Sequence, residues 1–151
     1  MNAGRRALSI DVIGGLVALV VALAAASGLG LMLRRRAGRF RAGQARTTPD
    51  VLTPVDLGGP LGEQATLVQF STAFCAPCRP TRQILAQVAG MVDGVTHVEV
   101  DATTRLDLVQ RLRINSTPTV LVLGPDGSIV KRATGLPRKA DVIAALGGVI
   151  E

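Results

Sequence analysis

The segment Cys75-Ala76-Pro77-Cys78 holds both cysteines of this 151-residue chain, and its spacing suits thiol–disulfide exchange. A strand pattern precedes the segment and a helix pattern follows it, so we expect Cys75 at the very start of the helix, partly exposed. Backbone N–H groups and the helix dipole stabilise a thiolate at such a position, which makes Cys75 the expected attacking nucleophile. Cys78, one turn later and more buried, would resolve the mixed disulfide by attacking Cys75. Pro77 suits the first helical turn, where no N–H is needed.

A pair of cysteines with this spacing also occurs in zinc sites and in structural disulfides. Zinc takes four protein ligands in a structural site, whereas the chain offers two cysteines and a single histidine, His97. We therefore expect no metal site, and the residues imply no other cofactor. His97 falls inside a strand pattern, which is typical of a side chain packed in or near the core. A purely structural disulfide would gain little from closing so short a loop.

The hydrophobic periodicity around the cysteines predicts alternating strands and helices. Four strands are predicted, at Thr66–Phe70, Val95–Val100, Thr119–Leu123 and Ser128–Ala133. Three helices are predicted, at Ala76–Met91, in a short stretch from Thr104, and at Lys139–Val149. Turn residues between the last two strands predict an antiparallel hairpin. The resulting β-α-β-α-β-β-α order predicts an α/β fold, with a mixed sheet covered by helices on both faces.

The segment Phe70–Arg79 resembles the active-site segment of the thioredoxin family, and Thr117-Pro118-Thr119 follows further along the chain as it does in that family. The resemblance implies a thioredoxin-like fold over residues 55–151. It also implies that Pro118 is cis beside the cysteines and that Thr117 presents backbone groups to an extended substrate chain. From the residues alone, a trans bond before Pro118 is the default. Three further residues would complete the substrate-binding surface: Phe74, Ala76 and Pro77.

Several residues depart from the pattern of that family, among them Pro80, which follows Arg79 directly and so comes earlier than the helix-kinking Pro of many thioredoxins. Phe74 replaces the usual Trp, which keeps the docking surface apolar but removes an indole donor. Ala76 replaces the usual Gly, and Gln69 stands where thioredoxins carry a buried Asp linked to proton transfer at the second cysteine. His97 stands where the Lys partner of that Asp would be. Because Gln cannot titrate, we hypothesise that His97 or a water chain serves the proton path past Gln69, or that Cys78 loses its proton slowly.

The N-terminal third of the chain indicates a membrane anchor. Residues 12–33 contain no charged side chain, and 22 helical residues span roughly 33 Å, enough for a hydrocarbon core of about 30 Å. We expect a short polar start at 1–9, a transmembrane helix at 10–33, a basic juxtamembrane linker at 34–54 and the domain at 55–151. A cleaved signal peptide is the alternative, but the apolar run is longer than such signals need and ends at arginines.

The distribution of charge supports the same interpretation. Residues 1–50 carry eight arginines and two aspartates and so account for the net charge of +6, while residues 51–151 carry nine basic and nine acidic side chains. Arginines beside an apolar helix bind anionic lipid headgroups, which accounts for this charge. The chain has three Phe and no Tyr or Trp, so few aromatic rings could stack on bases, and we expect no nucleic-acid partner. The arginine excess after the helix predicts a domain facing the cytoplasm. Arg79 and Arg82 would either stabilise the thiolate or attract acidic partners. The alternative, a solvated helix face, is the more common case for charged residues at such positions.

Together these features predict a membrane-anchored thiol–disulfide oxidoreductase, chiefly a reductase or electron carrier, that reduces or exchanges disulfides in protein partners. The alternative is a membrane-tethered docking module that uses the fold to hold a partner without redox turnover. A third possibility differs only in sidedness, because anchored reductases of this kind also serve secreted proteins or cytochrome c maturation outside the cytoplasm. We expect the soluble domain to be monomeric.

Overall fold

The computed structural model describes residues 3–36, 40–42 and 50–150, and the chain divides into two compact units, 1–36 and 37–151. The first unit is the helix α1 (Ala3–Arg36), which extends beyond both ends of the predicted span. Every side chain from Gly15 to Met32 is exposed, and this stretch is long and apolar enough to cross a membrane. Length and composition of this kind are shared by membrane spans and signal sequences alike.

The second unit is built on one five-stranded mixed sheet in the order β1-β5-β4-β2-β3. Its strands are β1 (Arg41–Ala42), β2 (Ala65–Ser71), β3 (Val95–Asp101), β4 (Thr119–Leu123) and β5 (Ile129–Thr134). Its helices are α2 (Pro54–Leu57), α3 (Cys78–Ala89), α4 (Leu106–Arg111) and α5 (Lys139–Ile150). β2 and β3 are parallel and the other pairs are antiparallel, including the predicted β4–β5 hairpin. The α/β prediction is therefore confirmed.

The strand β2, which lies between β4 and β3, is buried along its whole length, because helices cover both faces of the sheet. Leu67 points to the core that α3 and α5 share, together with Leu85 and Val142. Val68 and Phe70 point to the opposite core, on the side of α2 and α4. This alternation places Gln69 on the same face as Leu67, beneath α3.

Residues 34–54, predicted to be a linker, contribute in part to the folded unit. β1 pairs with β5, Leu52 is fully buried, and its N–H donates to the carbonyl of Gly127 at 2.9 Å. Thr53 then caps α2, exchanging reciprocal hydrogen bonds with Asp56. The remainder of the predicted linker, at 37–39 and 43–49, lies outside the described residues, as do residues 1–2.

Candidate active site

The two cysteines lie where the chain passes from the end of β2 to the first residue of α3. They form a disulfide with an S–S distance of 2.02 Å and a Cα–Cα distance of 5.3 Å. Cys75 lies in a turn before the helix, its N–H donating to the carbonyl of Thr72 at 3.2 Å. Cys78 is the first residue of α3 and donates its N–H to the carbonyl of Cys75 at 3.1 Å. The helix thus begins two residues later than the predicted Ala76, and Cys75 precedes it rather than opening it.

The two sulfur-bearing residues differ in accessibility. Cys75 is partly exposed, whereas Cys78 is only 3% exposed beneath it. The intervening Ala76 and Pro77 are exposed, and Phe74 is fully exposed at 101%. The result is a small apolar surface around the one cysteine that a substrate can reach.

The loop before β4 approaches the segment that leads into the disulfide. The hydroxyl oxygens of Thr72 and Thr117 lie 3.3 Å apart, which joins the two loops side chain to side chain. The Thr117–Pro118 peptide bond is cis, as the resemblance implied and in contrast to the default for the residues alone. Pro118 is buried, and its carbonyl accepts the N–H of Gly135 at 2.8 Å.

Gln69 lies beneath the start of α3 and is fully buried. Its Nε2 donates to the carbonyl of Cys78 at 2.9 Å, and because a carbonyl can only accept, this bond fixes which end of the amide faces the helix. The other end, Oε1, is buried and finds no hydrogen-bond partner among the described residues.

The adjacent strand β3 places two ionisable side chains on the same face of the sheet. His97 pairs in register with Leu67, and Glu99 with Gln69. Glu99 accepts from the hydroxyl of Ser71 at 2.6 Å and forms a two-point ion pair with Arg82 of α3, with both N···O distances 2.6 Å. Burial raises the pKa of Glu99, but the hydrogen bonds from Arg82 and Ser71 outweigh it and hold that pKa below its usual value.

His97 is half-buried, and within the described part of the chain its Nε2 is a second buried polar atom without a partner. Burial lowers the pKa of His97; the neighbouring Glu99 opposes that shift, and Arg82 adds to it. The net effect lowers the pKa, so the imidazole is neutral at pH 7.

Comparisons with known proteins match this arrangement. The Thioredoxin family model matches residues 61–147. The chain is 31% identical to thioredoxin of Mycobacterium tuberculosis over 85 residues, covering 56% of this chain and 72% of that protein. It is also 31% identical to thioredoxin of Chlamydia trachomatis over 77 residues, covering 51% and 74%. The crystal structure of chloroplastic thioredoxin z superposes with a TM-score of 0.52 at 28% identity, covering 58% of this chain and 79% of that one.

The chain belongs to the thioredoxin family. A thioredoxin domain whose two cysteines lie at disulfide distance supports thiol–disulfide oxidoreductase activity, so the predicted enzyme class is confirmed. Within the described residues, no group of three or more His, Cys, Asp or Glu side chains is placed to hold a metal ion.

The structure of this thioredoxin brings the predicted residues into two groups. Five lie at the exposed surface or in the loops that flank it, namely Phe74, Ala76, Pro77, Thr117 and Pro118. Gln69 and His97 lie on the buried side beneath α3, on neighbouring strands.

Glu99 and Ser71 contact each other beside the predicted site residues and were not predicted from the sequence. The signal that could have found Glu99 is the two-residue period of β3, which puts His97 and Glu99 on one face. Arg82 follows Cys78 by four helical positions, so it shares a helix face with the buried cysteine. Once the strand register is known, the pairing of Arg82 with Glu99 on the strand beneath it can be inferred.

Proposed function

We propose that this protein is a membrane-anchored thioredoxin that reduces or exchanges disulfides in protein partners, with Cys75 as nucleophile and Cys78 as resolving residue. The observation that carries the proposal is the unequal accessibility of the two sulfurs at one bonded site. Only Cys75 is placed to meet a bulky substrate, and only Cys78 is placed to attack it from within.

In the reducing direction the cycle starts from the dithiol. The Cys75 thiolate attacks a substrate disulfide, forms a mixed disulfide and expels one substrate thiolate. Cys78 then loses its proton and attacks the sulfur of Cys75, which releases the second substrate thiolate and leaves the Cys75–Cys78 disulfide. The substrate gains two electrons and the enzyme loses two. An external reductant restores the dithiol between turnovers.

Substrate contact is assigned to the surface around Cys75. Phe74, Ala76 and Pro77 offer exposed apolar area without a charged side chain, which suits an unfolded or extended polypeptide of varied sequence. Thr117 lies across from this surface, where its backbone could pair with an extended chain. These contacts would hold the substrate disulfide beside Cys75.

The membrane part of the proposal rests on α1, and the arginine excess that follows it favours a cytoplasmic domain. A Cys78→Ser variant leaves Cys75 as the single thiol of the chain, so labelling of intact cells with a membrane-impermeant maleimide reports its side unambiguously. We expect labelling only after the membrane is permeabilised. Labelling of intact cells would place the domain outside the cytoplasm.

The redox roles are tested by reduction of insulin with the full-length chain in detergent, with dithiothreitol as reductant. We expect activity from the wild type and none from Cys75→Ser. Because dithiothreitol would cleave a mixed disulfide, Cys78→Ser is pre-reduced and freed of dithiothreitol before insulin is added. It should then accumulate a mixed disulfide with the substrate, visible on a non-reducing gel. Full activity of Cys75→Ser would contradict the assignment, and a trapped adduct in that variant alone would make Cys78 the nucleophile. No activity from the wild type would favour a docking module.

A further inference from the structure

Two buried polar atoms beneath α3 have no partner among the described residues, and they lie on neighbouring strands. Gln69 Oε1 belongs to β2 and His97 Nε2 to β3. We propose that His97, supported by Glu99, accepts the proton that Cys78 loses during resolution, with Gln69 holding a water molecule that carries it to the imidazole. The proposal rests on the proposed function and adds a proton acceptor to it.

The strand register brings the participants together. Leu67 is in register with His97, and Gln69 lies two residues further along β2, so Gln69 and His97 are diagonal neighbours on one face. The bond from Gln69 Nε2 to the Cys78 carbonyl ties the amide to the residue that must lose its proton. With Nε2 so engaged, Oε1 is left as an acceptor beneath the helix. Buried polar atoms of this kind are the usual ligands of internal water, which needs two or more polar partners.

The charges around His97 suit it to accept a proton at neutral pH. Two charged groups act on it, Glu99 from its own strand and Arg82 from α3, while β2 contributes the non-titrating Gln69 and Ser71. Burial keeps the imidazole neutral and therefore able to accept. After protonation, the carboxylate of Glu99 stabilises the imidazolium.

Glu99 remains ionised while His97 titrates. Its carboxylate is held by the hydroxyl of Ser71 and by both contacting nitrogens of Arg82, and these bonds favour its charged form. Glu99 is thus a positioning residue that acts through His97, not a proton carrier. Arg82 fixes the carboxylate to the same helix that begins with Cys78.

The Cys78 thiol gives its proton to the water on Gln69, which passes a proton to neutral His97. The Cys78 thiolate forms a bond to the sulfur of Cys75 while the Cys75–substrate bond breaks. The substrate leaves as a thiolate, and the imidazolium then returns its proton to solvent or to that thiolate. No oxidant is required, because the substrate sulfur takes the electron pair.

The resolving step can be isolated with dithiobis(nitrobenzoate), a chromogenic disulfide. One equivalent is mixed with the pre-reduced full-length chain in detergent. Attack by Cys75 releases the first nitrothiolate in a bimolecular phase, and attack by Cys78 releases the second in a unimolecular phase. The leaving group is already an anion, so the pH dependence of the second phase reports proton loss from Cys78.

In the wild type we expect the second rate constant to fall as the pH drops through the lowered pKa of His97, below 6.5. In His97→Gln this inflection should vanish, with a rate at pH 7 about tenfold lower, less than the roughly 10²–10⁴-fold of a directly placed general base. In Glu99→Gln the inflection should move to lower pH. Glu63→Gln, which removes an exposed carboxylate elsewhere on the unit, should leave the inflection where it is.

The first phase is the internal control for folding, since attack by Cys75 does not need His97 or Glu99. An unchanged first phase with an unchanged second-phase pH profile in His97→Gln would overturn the proposal while leaving the proposed function intact. An inflection at the wild-type pH in Glu99→Gln would show that Glu99 does not act on His97. Loss of the second phase from the wild type itself would instead refute Cys78 as the resolving residue.

Discussion

Replacing Phe74 by alanine separates substrate docking from folding. The ring is fully exposed and directly precedes the reactive Cys75. Because the free protein leaves it in water, the free energy of unfolding should change by less than about 0.5 kcal/mol. A polypeptide that covers the ring would remove apolar area from water, and complete burial of such a side chain is worth about 1.5–3 kcal/mol. Covering roughly half of it corresponds to about 1 kcal/mol, or roughly fivefold in kcat/KM.

The assay compares a protein disulfide with a small one. The kcat/KM of Phe74→Ala for insulin should be roughly fivefold lower than that of the wild type. Hydroxyethyl disulfide has too little surface to cover the ring, so the variant should reduce it at the wild-type rate. Val55→Ala is the matched control, because Val55 is 88% exposed on α2 and away from the cysteines in sequence. An equal loss with both substrates would mean that the substitution disturbs Cys75 itself. No loss with insulin would refute docking on this ring.

Three further predictions concern the folded unit. Leu52→Ala should lower the free energy of unfolding by about 2–4 kcal/mol in urea titrations followed by circular dichroism, because the side chain is fully buried; a loss no larger than that of Val55→Ala would remove Leu52 from the core. Since the pKa of Glu99 is lowered on folding, its contribution to stability is present above its usual value of 4.5 and is lost as the pH falls through the lowered value. The stability difference between wild type and Glu99→Gln should therefore shrink as the pH is lowered below about 4.5, and a constant difference would contradict this. Thr72→Val should raise KM for insulin more than it lowers kcat, because the hydroxyl contact with Thr117 aligns the loop across from the disulfide. Thr72→Ser keeps the hydroxyl and should have the wild-type KM. Equal KM values for the two variants would rule out a role for this contact.

The parts of the site that could be predicted depend on short-range patterns. The spacing of Cys75 and Cys78 and the alternation of strands and helices are visible in the chain itself, and they led to the correct fold and enzyme class. The contribution of Leu52 was not visible, because one apolar residue in an aperiodic segment carries no signal of burial. Its place depends on backbone pairing with Gly127, far along the chain. The start of α3 was also misplaced, since a turn and a first helical turn share the same residues.

The arrangement of the ionisable groups beneath α3 could not be predicted from the sequence, because it depends on contacts between residues far apart in the chain. A carboxylate at position 69 would lie fully buried between sheet and helix, where an unpaired charge is costly. With Gln69 there instead, the amide is neutral and is tied to Cys78, and the ionisable side chains of the neighbouring strand lie on β3, at the edge of the sheet. At that edge Glu99 can reach both Ser71 and Arg82 and still remain partly solvated. With Gln69 on β2, the titrating side chains on this face of the sheet lie on the neighbouring edge strand β3. For that reason we expect the pH dependence of resolution to follow His97, not a buried acid.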